Sequence, residues 1–204
     1  MWSDDNQDRL LYSAQNTDGA LVWVTGTLDY SANKSNWSPS NIMNSPMWFY
    51  CGTNLSIWKC PSDQSYVVVN GVPKSRVRSF SMNTYFGNAL SFAPAYRSYK
   101  RFSEIDDPPP SRLFVFLDRR DDVIGYPDFF VDMTGYSLRN PAQYNLGDYP
   151  GAYHDGGAGF SYADGRGELH RWLDRRTTTP SSFVTASPNN PDVAWLQDRA
   201  TRRK

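Results

Sequence analysis

The sequence predicts a loop-rich, mainly β fold with little helix, and three observations carry that reading. Aromatic residues make up 15% of the 204 residues, including seven Trp and thirteen Tyr. Fourteen Gly and fourteen Pro punctuate the chain, a composition that favours short strands and many turns over long amphipathic helices. Two Asn-Gly or Asp-Gly dipeptides, Asn70-Gly71 and Asp164-Gly165, lie between strand-like runs. That is the strongest short-range hairpin signal, because a type I′ turn needs φ > 0 at both central residues.

In chain order, residues 1–16 (MWSDDNQDRLLYSAQN) read as the end of a helix, with Trp2, Leu10 and Leu11 near one face and Asp4-Asp5-Asn6 breaking or capping it. A long aromatic stretch, about residues 21–61, has Trp37, Pro39, Pro46 and Trp48 as punctuation and reads as an ordered surface excursion. Val67-Val68-Val69 before Asn70-Gly71 gives one hairpin. Residues 76–85, RVRSFSMNTY, read as a strand. After Pro108-Pro109-Pro110, residues 112–118, RLFVFLD, form the most apolar run and the expected central strand. Residues 174–204 read as an irregular tail holding a short helix, VAWLQDRA, with Asp192 as its N-cap.

The hairpin in residues 153–172 concentrates chemistry: His154, Asp155, Asp164, Arg166, Glu168 and His170. A two-residue Asp164-Gly165 turn pairs Ala163 with Arg166, Phe160 with Leu169 and Gly159 with His170. Alternation then places Phe160, Tyr162 and Leu169 in the core and Ser161, Arg166, Glu168, His170 and Trp172 on the outer face. In that register the two histidines approach across one polar face. His154, Asp155, Glu168 and His170 are therefore the candidate catalytic set of an enzyme reading. The opposing reading has His154 bonded to backbone and His170 packed beside Trp172. A glycosidase would need two carboxylates roughly 5–5.5 or 6.5–9.5 Å apart. Asp155, Asp164 and Glu168 are the local candidates, although turn chemistry alone accounts for Asp164.

Lys plus Arg equal Asp plus Glu at 21 each, which argues against nucleic acid as a partner. The basic residues near the C-terminus (Arg171, Arg175, Arg176, Arg199, Arg202, Arg203, Lys204) read as a solvated tail. The sequence holds no apolar run of bilayer-spanning length and opens on no signal peptide. Cys51 and Cys60 are equally compatible with a disulfide, which would close its loop for roughly 2.5–3 kcal/mol, and with two buried thiols. A disulfide would imply an oxidising compartment. Zinc is not indicated, since no second Cys/His pair lies at ligand spacing. Nucleophile-elbow, P-loop and dinucleotide fingerprints do not fit. The chain reads as a single domain, residues 1–204.

The phrases SDDNQDRL, WKCPSD, RSFSMN, FVFLD, YHDGGAGFSYADG…ELHRW and DVAWLQDR occur in this order along nearly the whole chain. As a series they resemble the globular part of type II secretion-type pseudopilins, prepilin-like proteins of the Verrucomicrobia, Lentisphaerae and Planctomycetes kind. The resemblance implies an α+β, mainly β fold: a pilin-like small antiparallel sheet with the end of an N-terminal helix packed on it and long aromatic-rich loops. Members carry a cleavable leader and a long hydrophobic helix before the segment similar to SDDNQDRL, so the resemblance implies a globular domain lacking that helix here. Arg166 stands where the family usually has His after Asp-Gly. Some major pseudopilins hold calcium near their sheet, which makes calcium the implied cofactor and Asp118, Asp121, Asp122 and Asp128 its candidate ligands. Their spacing is not that of an EF-hand, and Arg119-Arg120 would oppose a cation; the alternative is a set of solvated acidic turns.

The function these readings favour is a non-catalytic, extracytoplasmic structural subunit with other pseudopilin or envelope subunits as partners. The alternatives are a polysaccharide-acting hydrolase or lyase, and a carbohydrate-binding module using Trp23, Trp37, Trp48 and Trp58.

Overall fold

The computed structural model describes residues 2–14, 19–87, 93–179 and 184–204. Residues 1, 15 and 16 of the expected helix end, and residues 180–182 of the TTTPSS segment, lie outside the described residues. The fold is α+β with mostly strand content, largely antiparallel pairing and short helices.

The chain opens with α1 (Trp2–Asp5). The helix stops there because Gln7 and Asp8 take φ of 57° and 67°, which no right-handed helix admits. Two further short helices follow, α2 (Lys34–Trp37) and α3 (Ser40–Met43). Next, β1 (Tyr66–Val69) and β2 (Val72–Ser75) form the Asn70-Gly71 hairpin with Val69 opposite Val72. Both turn residues have positive φ, 51° and 78°, as a type I′ turn requires.

The central sheet has five strands in the order β5-β3-β4-β7-β8. They are β3 (Phe80–Asn83), β4 (Phe114–Asp118), β5 (Asp128–Phe129), β7 (Gly157–Tyr162) and β8 (Gly167–Arg171). The apolar run at residues 112–118 thus supplies the middle strand. Pairing is antiparallel except for β3 with β5, and β4 bulges between Phe114 and Phe116. A small pair of β6 (Asn145–Leu146) with β9 (Thr185–Ala186) stands apart.

One face of the sheet, with Phe114, Leu117, Ala158, Phe160 and Tyr162, packs against Trp172 and the C-terminal helix through Leu196 and Ala200. That helix, α5 (Pro191–Ala200), follows the short α4 (Arg175–Thr178). The other face, with Met82 and Phe116, packs against Leu11, Trp23, Ile42 and Trp58. The stretch at residues 21–61 is therefore a second core layer rather than a surface excursion. Trp23 and Trp58 stack within it, with ring centroids 5.7 Å apart.

The hairpin register departs from expectation by one residue. Gly159 pairs with Leu169, Phe160 with Glu168 and Ala158 with His170. Gly165 has φ of 86° while Asp164 does not enter the left-handed region. The Gly165 amide donates to the Tyr162 carbonyl (3.0 Å) and the Tyr162 amide to that of Arg166 (2.9 Å). The loop is thus a three-residue turn closed by a left-handed glycine rather than a two-residue type I′ turn. Because side chains alternate, the slip moves every β8 side chain to the opposite face. Leu169, expected in the core, is 68% exposed, and Trp172 is buried instead.

Residues 184–204 are built into the fold rather than forming an irregular tail. Asn190, not Asp192, caps α5, accepting from the Asp192 amide at 2.8 Å. Asp192 is buried and accepts from the amides of Leu173 (3.0 Å) and Asp174 (2.9 Å) and from the Thr177 hydroxyl (2.7 Å). The basic end is not a solvated tail. The Arg97 amide donates to the Arg202 carbonyl (2.8 Å) and the Lys204 amide to that of Ala95 (2.9 Å). The Arg202 guanidinium pairs with Asp107 at 3.0 Å.

Candidate functional site: a cysteine, a histidine and an aspartate beside the central strand

Three chemically active side chains from distant parts of the chain meet at the end of β4. Asp118 is the last residue of β4 and follows Leu117, which faces α5, so its carboxylate emerges on the opposite face. Its Oδ2 accepts the Gly159 amide at 2.7 Å and lies 3.1 Å from His154 Nε2. The same histidine nitrogen lies 3.5 Å from Cys60 Sγ.

Local backbone chemistry places each group. His154 precedes a tight turn in which its amide and carbonyl exchange hydrogen bonds with Gly157 (3.2 and 3.0 Å). Asp155 and Gly156 at the tip have φ of 50° and 77°, so the Asp-Gly turn with both residues left-handed sits here, ahead of β7. Cys60 follows a 3-10 turn, Leu55–Trp58. Its amide donates to Ser79 Oγ at 2.6 Å, while the Ser79 carbonyl accepts from the Arg119 amide at 2.8 Å. Ser79 thereby ties the cysteine loop to the end of β4. Gly159 gives the carboxylate its room, since a Cβ there would lie 3.0 Å from Asp118 Oδ2.

Asp118 and Cys60 are buried, whereas the His154 side chain is 31% exposed. Burial pushes the Asp118 carboxyl above the usual aspartate range, with Asp63 adding to the effect; the Gly159 amide and His154 pull the other way. Among the described residues Asp118 Oδ1 is buried without a hydrogen-bond partner, and so is Asp63 Oδ2. A nucleophilic cysteine relay is not what this geometry builds. In such a relay the nucleophile and the carboxylate engage different ring nitrogens of the histidine, whereas here both converge on Nε2.

The residues expected to form an active site are dispersed. His170 faces α5, where it stacks on Trp195 with centroids 3.7 Å apart, so the two histidines lie on opposite faces of the sheet. Burial lowers the pKa of His170. Glu168 pairs with Arg166 at 2.6 Å, and Asp155 is exposed at its turn. Asp164 accepts from the Arg166 amide at 3.0 Å, as turn chemistry anticipates. The four aspartates considered for calcium also go separate ways. Asp118 joins His154, Asp121 accepts from Tyr30, Asp122 pairs with Arg120, and Asp128 accepts from Thr84 at 2.9 Å. Cys51 and Cys60 are unbonded thiols, and burial raises the Cys51 pKa. Of the four candidate tryptophans, Trp23 and Trp58 are buried in the second layer, while Trp37 and Trp48 are half-buried.

The second notable feature is an apolar trough on the same sheet face. A hollow of about 320 Å³ is lined by Trp23, Met47, Ile57, Phe80 and Phe116. Met47 and Phe116 also line a second hollow of about 160 Å³, beside Leu10, Phe102 and Ala163. Ile57 is half exposed, and the neighbouring Phe49 is 81% exposed.

Compared with family models, curated proteins and solved structures, the chain matches none. The fold and site define an α+β protein with a Cys-His-Asp cluster and an apolar trough on one sheet face. Among the described residues no helix is long and apolar enough to cross a membrane.

Proposed function

We propose that this protein is a non-catalytic, pseudopilin-like structural subunit of a bacterial secretion or cell-surface assembly, working outside the cytoplasm. The observation that carries the reading is the apolar trough, with half-exposed Ile57 in its lining and Phe49 and Leu55 exposed in the same segment of chain. An apolar hollow open at the surface marks an interaction site. An apolar helix of a neighbouring subunit is the occupant whose chemistry fits, because the lining offers aromatic and aliphatic surface with few polar groups. The resemblance of the ordered phrases supports the same class. The polysaccharide-enzyme reading is less favoured, because the two histidines it pairs lie on opposite faces.

The test is photocrosslinking in the native cells, with a photoreactive residue at Phe49 or Ile57 of the full chain. Adducts whose masses identify pilin-like or envelope subunits are the expected result. No adduct from either position would overturn the proposal, and so would polysaccharide turnover by the purified protein that His154→Ala abolishes.

A further inference from the structure

We propose that Cys60, Asp118 and His154 bind one divalent transition-metal ion, zinc by the chemistry of the donors. A thiolate, an imidazole and a carboxylate brought close together are the ligands zinc takes, and sulfur with nitrogen selects against calcium and magnesium. The potential ligand atoms all lie within 4.8 Å of one another. Zinc bonds of about 2.3 Å to sulfur, about 2.0–2.1 Å to nitrogen and about 2.0–2.2 Å to oxygen, at tetrahedral angles, give ligand-to-ligand edges of about 3.5 Å for S···N and about 3.4 Å for N···O. The corresponding distances are 3.5 Å from Cys60 Sγ to His154 Nε2 and 3.1 Å from His154 Nε2 to Asp118 Oδ2. The side chains therefore already hold two edges of the polyhedron.

Two further observations point to an ion. Among the described residues Asp118 Oδ1, the second oxygen of the ligating carboxylate, is buried with no hydrogen-bond partner, a position that ordinarily costs free energy unless a cation or donor lies near it. Nearby Asp63, itself buried and with Oδ2 unpartnered, adds negative potential at Asp118. Burying a second carboxylate beside the first is costly, and a divalent cation offsets that cost. On binding, Cys60 loses its thiol proton to solvent and ligates as thiolate, with no change of oxidation state. Water from the partly exposed His154 side completes four-coordination. The ion would brace the cysteine loop, the end of β4 and the turn before β7, three segments otherwise joined here by hydrogen bonds.

The experiment uses the full chain, stripped with chelator and titrated with Co²⁺ and Zn²⁺. One Co²⁺ should bind per chain, giving a thiolate-to-cobalt charge-transfer band and tetrahedral ligand-field bands; Zn²⁺ should displace it. His154→Ala and Cys60→Ser should each weaken binding by upward of about 100-fold, beyond the 10–100-fold typical of outer-shell changes, while Cys51→Ser leaves it unchanged. X-ray absorption of the zinc-loaded wild-type protein should count one sulfur per zinc, which decides the matter even if a ligand variant fails to fold. Absence of saturable 1:1 binding, a count of two sulfurs or none, or full affinity in a folded His154→Ala would overturn the proposal. Failure here leaves the subunit reading standing, since that rests on the trough.

Discussion

The hairpin register makes opposite demands on two neighbouring side chains, and truncating each separates them. Phe160 is 4% exposed and meets Phe114, Trp172 and Trp195 edge-on at centroid distances of 5.6, 5.9 and 4.9 Å. Its replacement by Ala removes a ring from a packed aromatic cluster and should cost about 3–5 kcal/mol. Leu169 is 68% exposed. Full burial of a leucine side chain is worth about 1.5–3 kcal/mol, so the third or so that is covered should make Leu169→Ala cost about 0.5–1 kcal/mol. In urea unfolding followed by tryptophan fluorescence, a slope of about 2–3 kcal/mol/M turns these into midpoint drops of roughly 1–2.5 M and roughly 0.2–0.5 M. A two-residue Asp164-Gly165 turn would instead bury Leu169 and make its truncation cost about 2–5 kcal/mol. A Leu169→Ala loss of that size would refute the register, and a Phe160→Ala loss below about 1 kcal/mol would refute the packing of the aromatic cluster.

Asn83 is fully buried and donates to the carbonyls of Phe114 (3.0 Å) and Ala200 (2.9 Å) while accepting from the Tyr85 amide (3.1 Å). Asn83→Ala orphans all three backbone groups and should destabilise by about 3 kcal/mol in denaturant melts. Gly71 has φ of 78° with open space around it, so Gly71→Ala should cost only backbone strain, about 1 kcal/mol. Gly87→Ala should cost more, because φ is 108° and the new Cβ would lie 2.4 Å from the Tyr12 ring; equal thermal shifts for the two variants would contradict this. His170 has its pKa lowered by burial from the ordinary 6.5. The unfolded chain therefore takes up a proton that the folded one resists. The contribution is fully present above about pH 6.5 and is lost as pH falls toward the folded value. His170→Phe should accordingly gain stability relative to wild type on moving from about pH 7.5 to about pH 5; a difference that does not change with pH would exclude this.

Short-range signals were legible in the residues. The Asn70-Gly71 hairpin, the central position of the strand within residues 112–118 and a helix within residues 190–200 all follow from local propensity. Asp164-Gly165 marked a turn correctly, yet the choice between a two- and a three-residue loop depended on which β8 side chains could pack. The wide aromatic core around Phe160 takes Trp172 and His170 more readily than it takes Leu169. The candidate site was legible only in parts. Asp118 was weighed for calcium, His154 as a partner of His170, and Cys60 for a disulfide. No spacing rule connects Cys60 and His154, which stand 94 positions apart.

By itself the sequence determined a neutral, aromatic-rich, mainly β chain, the places where it turns, and which runs become strands. Those properties are local: each rests on a few adjacent residues and their allowed dihedrals. Tertiary structure alone decided which faces are buried, that residues 21–61 form a second core layer, that the two histidines part to opposite faces, and that Cys60, Asp118 and His154 meet. A one-residue shift in register costs little locally and inverts every side chain of a strand. A three-segment cluster exists only once the sheet and both loops have closed around it.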